Sequence, residues 1–313
     1  MTPSARPPTT ESMCTRSTPQ PDWPTMNSRR TTILHWLRRT PTGSLGALML
    51  AIMILGGLAA PLLTPYDPLA IDLRTALAAP SAAHPLGTDH LGRDTLSRIL
   101  YGARASLGTA AVAVTLTTLI GAAIGSIAGF WGGWVDRIVL GVMDALLAFP
   151  SFVLVLVIAG LLGPGLRNAI LGLVVVRWVG SARIVRSVVL SLRERPFVES
   201  ARCVGATNWH ILRRHLAPNI VGTVLVLITL DLGTIILSLS GLSFVGLGVQ
   251  LPAPEWGAML NYGRPYLQTA PLLMIFPGVA ITLAVLSANL LGDALRDLAD
   301  ARYRDQLMQG DQT

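Results

Sequence analysis

The chain contains no lysine; all 24 of its basic residues are arginine. The phosphate-binding P-loop, G-x-x-x-x-G-K-[ST], depends on a lysine ammonium. That motif is therefore missing, and ATP hydrolysis of that type needs another polypeptide. Charge is scarce too: 13% of the 313 residues are charged and 51% are hydrophobic, against roughly 25% charged residues in soluble domains. The two cysteines, Cys14 and Cys203, both fall on the reducing side of the topology derived below, so no structural disulfide is expected. The five histidines lack metal-like spacing. His84 and His90 flank a glycine-containing turn, and His210 and His215 miss the i, i+4 relation that puts two ligands on one helical face. No convergent His, Asp or Ser set can be assembled for catalysis, so neither a metal site nor a catalytic site is expected.

What is present is apolar sequence in long runs. A net charge of +7 can mark a nucleic-acid binder. Here the arginines sit in short segments beside apolar runs, which suits membrane orientation, and no nucleic-acid partner is expected. Crossing the hydrocarbon takes about 20 apolar residues. Six segments qualify: 45–63, 105–129, 137–162, 167–189, 220–245 and 272–292. The first is too long for a signal peptide and lacks an A-x-A site, so it reads as an uncleaved helix. Residues 1–40 are rich in Pro, Ser, Thr and Arg and read as a disordered cytoplasmic N-terminus. Met26 competes with Met1 as the true start.

Orientation follows from arginine bias. With the N-terminus inside, 17 arginines are cytoplasmic; Arg74, Arg93, Arg98, Arg104, Arg167 and Arg264 are outside, and Arg177 lies within a span. The positive-inside rule then favours N-in/C-in. This divides the chain into a first membrane helix at 45–63, an extracytoplasmic segment at 64–104, a core of five helices over 105–296 and a cytoplasmic tail at 297–313. A second external segment, 246–271, reads as an ordered loop with a short re-entrant or interfacial helix.

The polar island 194–219 falls in the cytoplasm on this count, independently of any motif. Pro196 suits a first helical turn, Phe197 to Val204 form a short helix, and Gly205 is a left-handed stop. Thr207 caps a second helix from Asn208, and Pro218 ends that helix or starts the next span. Glu199, Ser200, Ala201, Arg202, Gly205 and Ala206 form the core of the pattern. Small residues at 200, 201 and 205 would let the short helix sit close in a partner's groove, with Glu199 and Arg202 as polar handles. The alternative is an ordinary interhelical loop.

This stretch, ESARCVGATNWHILRRHLAPN, resembles the EAA loop of ABC-importer permeases. HPLGTDHLGRDTLSRILYGARASL at 84–107, LLAFPSFVLVL at 146–156, LGPGLRNAILGL at 162–173, LSFVGLGVQLPAPEWGAML at 242–260 and DALRDLADARYR at 293–304 are similar, in the same order, to the peptide/nickel branch of that family, in its C-type subunit. The resemblance implies an all-α, six-helix type I importer permease bundle in the bacterial inner membrane, with a cytoplasmic coupling helix. It also implies a homologous second permease, two ATPase subunits that bind ATP and magnesium, and an extracytoplasmic substrate-binding protein. Di- or oligopeptides are the implied cargo; nickel chelates, glutathione-like peptides and haem are the family's alternatives. Ser200 departs from the second residue of the EAA triplet, and Ala217 and Ala301 from a usual Leu and Pro. Leu239 stands where relatives often carry Glu.

Charges within spans cost about 2.5–3.5 kcal/mol at mid-bilayer on insertion scales and are functional candidates by default. Asp144, Asp231, Ser238 and Asn289 are the candidates for lining the pathway, each against the alternative of a structural ion pair or a helix–helix hydrogen bond; Arg177 is weighed in the same way. Gly121, Gly125 and Gly129 form a ridge that reads as helix packing. A stand-alone secondary transporter or channel would call for an inverted repeat or more intramembrane charge, and neither is evident.

Overall fold

The structure, a computed structural model, describes residues 41–310, with side chains through 298; the expected disordered segment 1–40 lies outside these residues. Helices make up the described chain: α1 Pro41–Leu58, α2 Thr95–Trp131, α3 Gly133–Leu147, α4 Ser151–Leu162, α5 Leu166–Arg193, α6 Pro196–Cys203, α7 Asn208–Phe244, α8 Trp256–Gly263 and α9 Leu272–Gly310. Isolated one-turn pieces such as Ala60–Leu63 join them. Four of the helices (α1, α2, α7 and α9) are long and apolar enough to cross a bilayer, and a fifth crossing arises if α3 and α4 count as one bent span.

Helices outrun the expected apolar windows. α2 starts at Thr95 rather than 105 because Asp94 caps it, its Oδ2 accepting from Ser97 N. At 37 residues it is ~55 Å long, well beyond the ~30 Å hydrocarbon. α9 likewise continues past 296 to Gly310, through the segment expected to be a separate tail. The segment expected as a single span at 137–162 is broken between Leu147 and Ser151, where α3 and α4 meet at 88°. Pro150 enforces the break: it has no N–H to donate and biases Phe149 away from helix. α5, expected as a span, is not among the four long apolar helices; it carries Arg167, Arg177, Arg183, Arg186 and Arg193.

Of its two expected roles, Pro218 does not end a helix but lies in the first turn of the segment Ala217–Phe244. The chain runs continuously from Asn208 to Phe244, widened into a π turn over Ile211–Leu216. A proline ring clashes with the carbonyl four residues back in a regular helix, and the wider turn just before Pro218 accommodates it.

Close backbone approach fixes the helix directions. A Cβ on Gly121, Gly125 or Gly129 would lie 2.5, 2.3 or 2.8 Å from the carbonyl oxygens of Trp178, Ala182 and Arg186 respectively. The numbers rise together, so α2 and α5 run parallel, pressed backbone to backbone. α7 and α9 run antiparallel: Gly233 meets Asn289, while Gly292 meets Leu230. The apolar core lies among α2, α4, α5, α7, α8 and α9, around Leu173, Ile235, Ile236, Leu242 and Trp256. A second cluster, at the end of the bundle that carries α6, joins Phe130, Val185, Val189, Val198, Ala201, Ile211 and Leu216.

Candidate coupling surface and intramembrane charges

α6 is built from local signals. Arg195 is its N-cap residue and Pro196 takes its first turn. It closes in a Schellman arrangement: Ala206 N donates to Ala201 O and Gly205 N to Arg202 O, with Gly205 at φ +81°. Thr207 then accepts from His210 N and starts α7. The short helix, its left-handed stop and the cap all lie where the sequence put them.

The helix has two faces. Val198 and Ala201, three residues apart, are buried against the second core cluster. Glu199, Ser200, Arg202, Cys203, Val204 and Gly205 are exposed, and Ala206 is half-buried. Ala201 therefore packs α6 onto its own bundle, and the expected small-residue face is left with Ser200 and Gly205 as its exposed members. Sequence reasoning missed Val204 and Trp209, two apolar side chains left 84% and 61% exposed on this surface. Their position just before and just after the Gly205–Thr207 turn was the available signal. Beside α6, Phe130, Trp131, Arg193, Glu194, Glu199, Arg202 and Asn208 line an open pocket of about 470 Å³. Arg193 Nη1 donates to Gly129 O and ties the end of α5 to the end of α2.

The intramembrane candidates divide. Asp231 on α7 pairs with Arg177 on α5 at 3.7 Å, and both are only part-buried. Ser238 lies two turns further along α7, on the face of Asp231, with its Oγ donating to Thr234 O. Asn289 is exposed on α9 and its Oδ1 approaches Gly233. Asp231 and Ser238 thus share one face of α7, while Asn289 meets Gly233 about 200° around that helix from Asp231. Asp144 is elsewhere: it is exposed on α3 and accepts from Arg183 Nη2 at 2.6 Å. A neighbouring pair, Asp136 with Arg186, is bidentate, Arg186 Nη2 donating to Oδ2 at 2.6 Å. Leu239 is buried in the core. Beside it, in a small pocket, lies a carboxylate that sequence reasoning overlooked: Glu255, buried, accepts from Gly257 N, Ala258 N and Ser106 Oγ. It caps α8 and fastens it to α2. Trp256 adds to the joint, its Nε1 donating to Ile99 O and its ring lying over Gly102. Among the described residues no group of three or more His, Cys, Asp or Glu could hold a metal ion.

Comparison with known proteins agrees with this architecture. Residues 121–305 match the family described as binding-protein-dependent transport system inner membrane component. The chain is 39% identical over 293 residues to a dipeptide transport system permease protein of Alkalihalophilus pseudofirmus, covering 92% of this chain and 96% of that one. It is 44% identical to a nickel transport system permease protein of Escherichia coli, covering 82% and 92%. A glutathione transport system permease protein of Pectobacterium atrosepticum is 43% identical, covering 72% and 75%. Among solved structures, a chain of the inward-facing MetNI methionine ABC transporter superposes with a TM-score of 0.50 at 22% identity, covering 63% of this chain and 94% of that one. That last likeness concerns the fold alone.

Proposed function

Because the chain belongs to the family of binding-protein-dependent transport system inner membrane components, we propose that it forms half of the translocation pathway of an ABC importer for di- or oligopeptides in the bacterial inner membrane. A homologous permease forms the other half. Two ATPase subunits dock at α6 and hold the ATP and magnesium, and an extracytoplasmic binding protein delivers cargo at the α8 end. Support for the peptide class is the dipeptide and glutathione permeases among the relatives; the nickel permease keeps a metal chelate as the competing cargo.

The observation that carries the reading is the two-faced α6. Val198 and Ala201 hold it to the bundle, while Glu199, Arg202 and Val204 face outward. A helix anchored in this way passes a displacement into α2, α5 and α7 rather than absorbing it. The six-crossing arrangement draws support from the parallel α2 and α5, since between two parallel spans the bent α3–α4 pair has to return the chain across the membrane; N-in/C-in draws support from the arginine bias. In alternating access, closure of the ATPases pushes α6, rocks the helices above it and opens the path outward. With no lysine in the chain, the energy comes from the ATPase subunits. The part-buried Asp231–Arg177 pair, with Ser238, supplies the polar lining of the path.

The test is reconstitution with the cognate ATPases and binding protein. Gly205→Asp and Glu199→Ala should leave membrane insertion intact and abolish ATPase stimulation by loaded binding protein. Stimulation unchanged in Gly205→Asp would overturn the assignment. The ligand that co-purifies with the binding protein decides between peptide and chelate.

A further inference from the structure

At the α8 end of the bundle, α2, the start of α5 and the loop before α8 enclose an open groove of about 490 Å³. That is the size of a small-molecule site rather than of a crease between side chains. Its walls include Tyr101, Gly108, Val112, Leu166 and Pro254. Thr109 spends its hydroxyl on Ala105 O, which leaves the floor apolar. Gly108 opens the furrow, since a Cβ there would meet nothing within 4 Å.

One charge stands in this apolar setting. Arg104 lines the groove, is exposed, and makes no hydrogen bond or ion pair among the described residues. Tyr101, one turn earlier on the same face, makes no hydrogen bond among them either. Among the described residues no carboxylate lines the groove.

Depth in the membrane gives this cation a partner. Arg104, Gly108, Val112 and Leu116 follow one another at four-residue spacing along α2, and Leu119 continues the row. Val112, Leu116 and Leu119 are exposed. From Gly108 to Leu119 the row is ~17 Å long, about half of the ~30 Å hydrocarbon core and so the depth of one leaflet. Ile127 and Trp131 carry the exposed apolar surface on to the far end of the helix, where a tryptophan suits the other membrane interface. Arg104, a turn beyond Gly108, therefore sits at headgroup depth. An aliphatic row one leaflet deep that ends in a free cation matches the order of a phospholipid: chain first, then phosphate.

We propose that this groove is a site for one anionic phospholipid, with its phosphate at Arg104 and Tyr101 and one acyl chain in the furrow over Gly108. So seated, the lipid braces the start of α5 and the loop before α8 against α2. Every phospholipid carries the phosphate. The uncompensated guanidinium adds a preference for a net negative headgroup, about fivefold for a single arginine at a membrane surface.

Native mass spectrometry of the full-length chain, purified in mild detergent, tests this. The protein should retain one dioleoyl phosphatidylglycerol about fivefold more tightly than dioleoyl phosphatidylcholine. Arg104→Gln should level the two affinities. Gly108→Leu, which fills the furrow from an open position, should weaken both lipids and keep their ratio. Both variants change exposed positions, so their size-exclusion profiles should match the wild type. In membranes of the producing cells, p-benzoylphenylalanine in place of Gly108 should cross-link to lipid. Capture of another protein subunit there, equal affinities in the wild type, a phosphatidylglycerol preference that survives Arg104→Gln, or undiminished binding in Gly108→Leu would each overturn the site.

Discussion

Gly205 is held at φ +81°, and a Cβ added there would meet no atom within 4 Å. Space is open, so within this chain the constraint lies in the backbone alone; a charge there, as in Gly205→Asp, acts on the proposed docking partner instead. L-residues in that region cost roughly 1–2 kcal/mol, and asparagine tolerates it best. Gly205→Asn should therefore retain most ATPase stimulation, and Gly205→Val should lose it through a distorted turn while remaining in the membrane. ATPase assays at equal protein loading distinguish the two. Position 205 was legible in the sequence because a glycine after a short helix obeys a local rule. The inward turn of Ala201 was not, because it depends on which face of an eight-residue helix meets the rest of the bundle. Arg177 and Asp231 were legible as isolated charges, but their pairing was not, since it joins α5 to α7 across the fold. Arg177→Gln alone leaves Asp231 part-buried without its partner. It should lower yield and melting temperature more than the double variant with Asp231→Asn, since breaking a pair is worse than removing it. A single variant as stable as the double would argue that the pair is structurally idle.

The glycine seam governs at the element scale. The 121, 125, 129 spacing was legible as a packing ridge; that it meets α5, in parallel, was not, because spacing names a face and never its partner. A Cβ on Gly125 would sit 2.3 Å from the Ala182 carbonyl oxygen and about 3 Å from other backbone atoms of the same residue, with no flexible side chain to yield. Gly125→Val should force α2 and α5 apart. Little folded protein should be recovered from the membrane, whereas Gly108→Val, with nothing within 4 Å of its Cβ, should be recovered at wild-type level. Size-exclusion profiles in detergent compare them directly. Helix ends are less legible than helix centres. Apolar windows report what lies in lipid, while Asp94 and Thr207 start helices outside it. The π turn and the 88° bend are hidden from the sequence for one reason: proline forbids a regular helix at its own position without dictating how the chain relaxes.

For the molecule as a whole, the arginine distribution bears on orientation, whereas the parallel α2–α5 packing is the same in either orientation and bears only on the return of the chain between them. Cys203 is exposed at the C-terminus of α6. In a Cys14→Ser background, a membrane-impermeant maleimide should label it in inside-out vesicles and leave it unlabelled in right-side-out ones. The reverse pattern would invert the topology and move the proposed ATPase dock to the wrong compartment.

The seam also has a mechanical meaning. Two helices touching carbonyl to glycine have no side-chain layer between them to shear, so α2 and α5 behave as one stiff strut. At its lower end, two residues separate α5 from α6; towards its upper end, Ser106 and Gly102 grip Glu255 and Trp256. In the proposed importer, a load applied at Val204 would reach α8 along this member, leaving the α3–α4 elbow and the widened turn of α7 as the compliant joints.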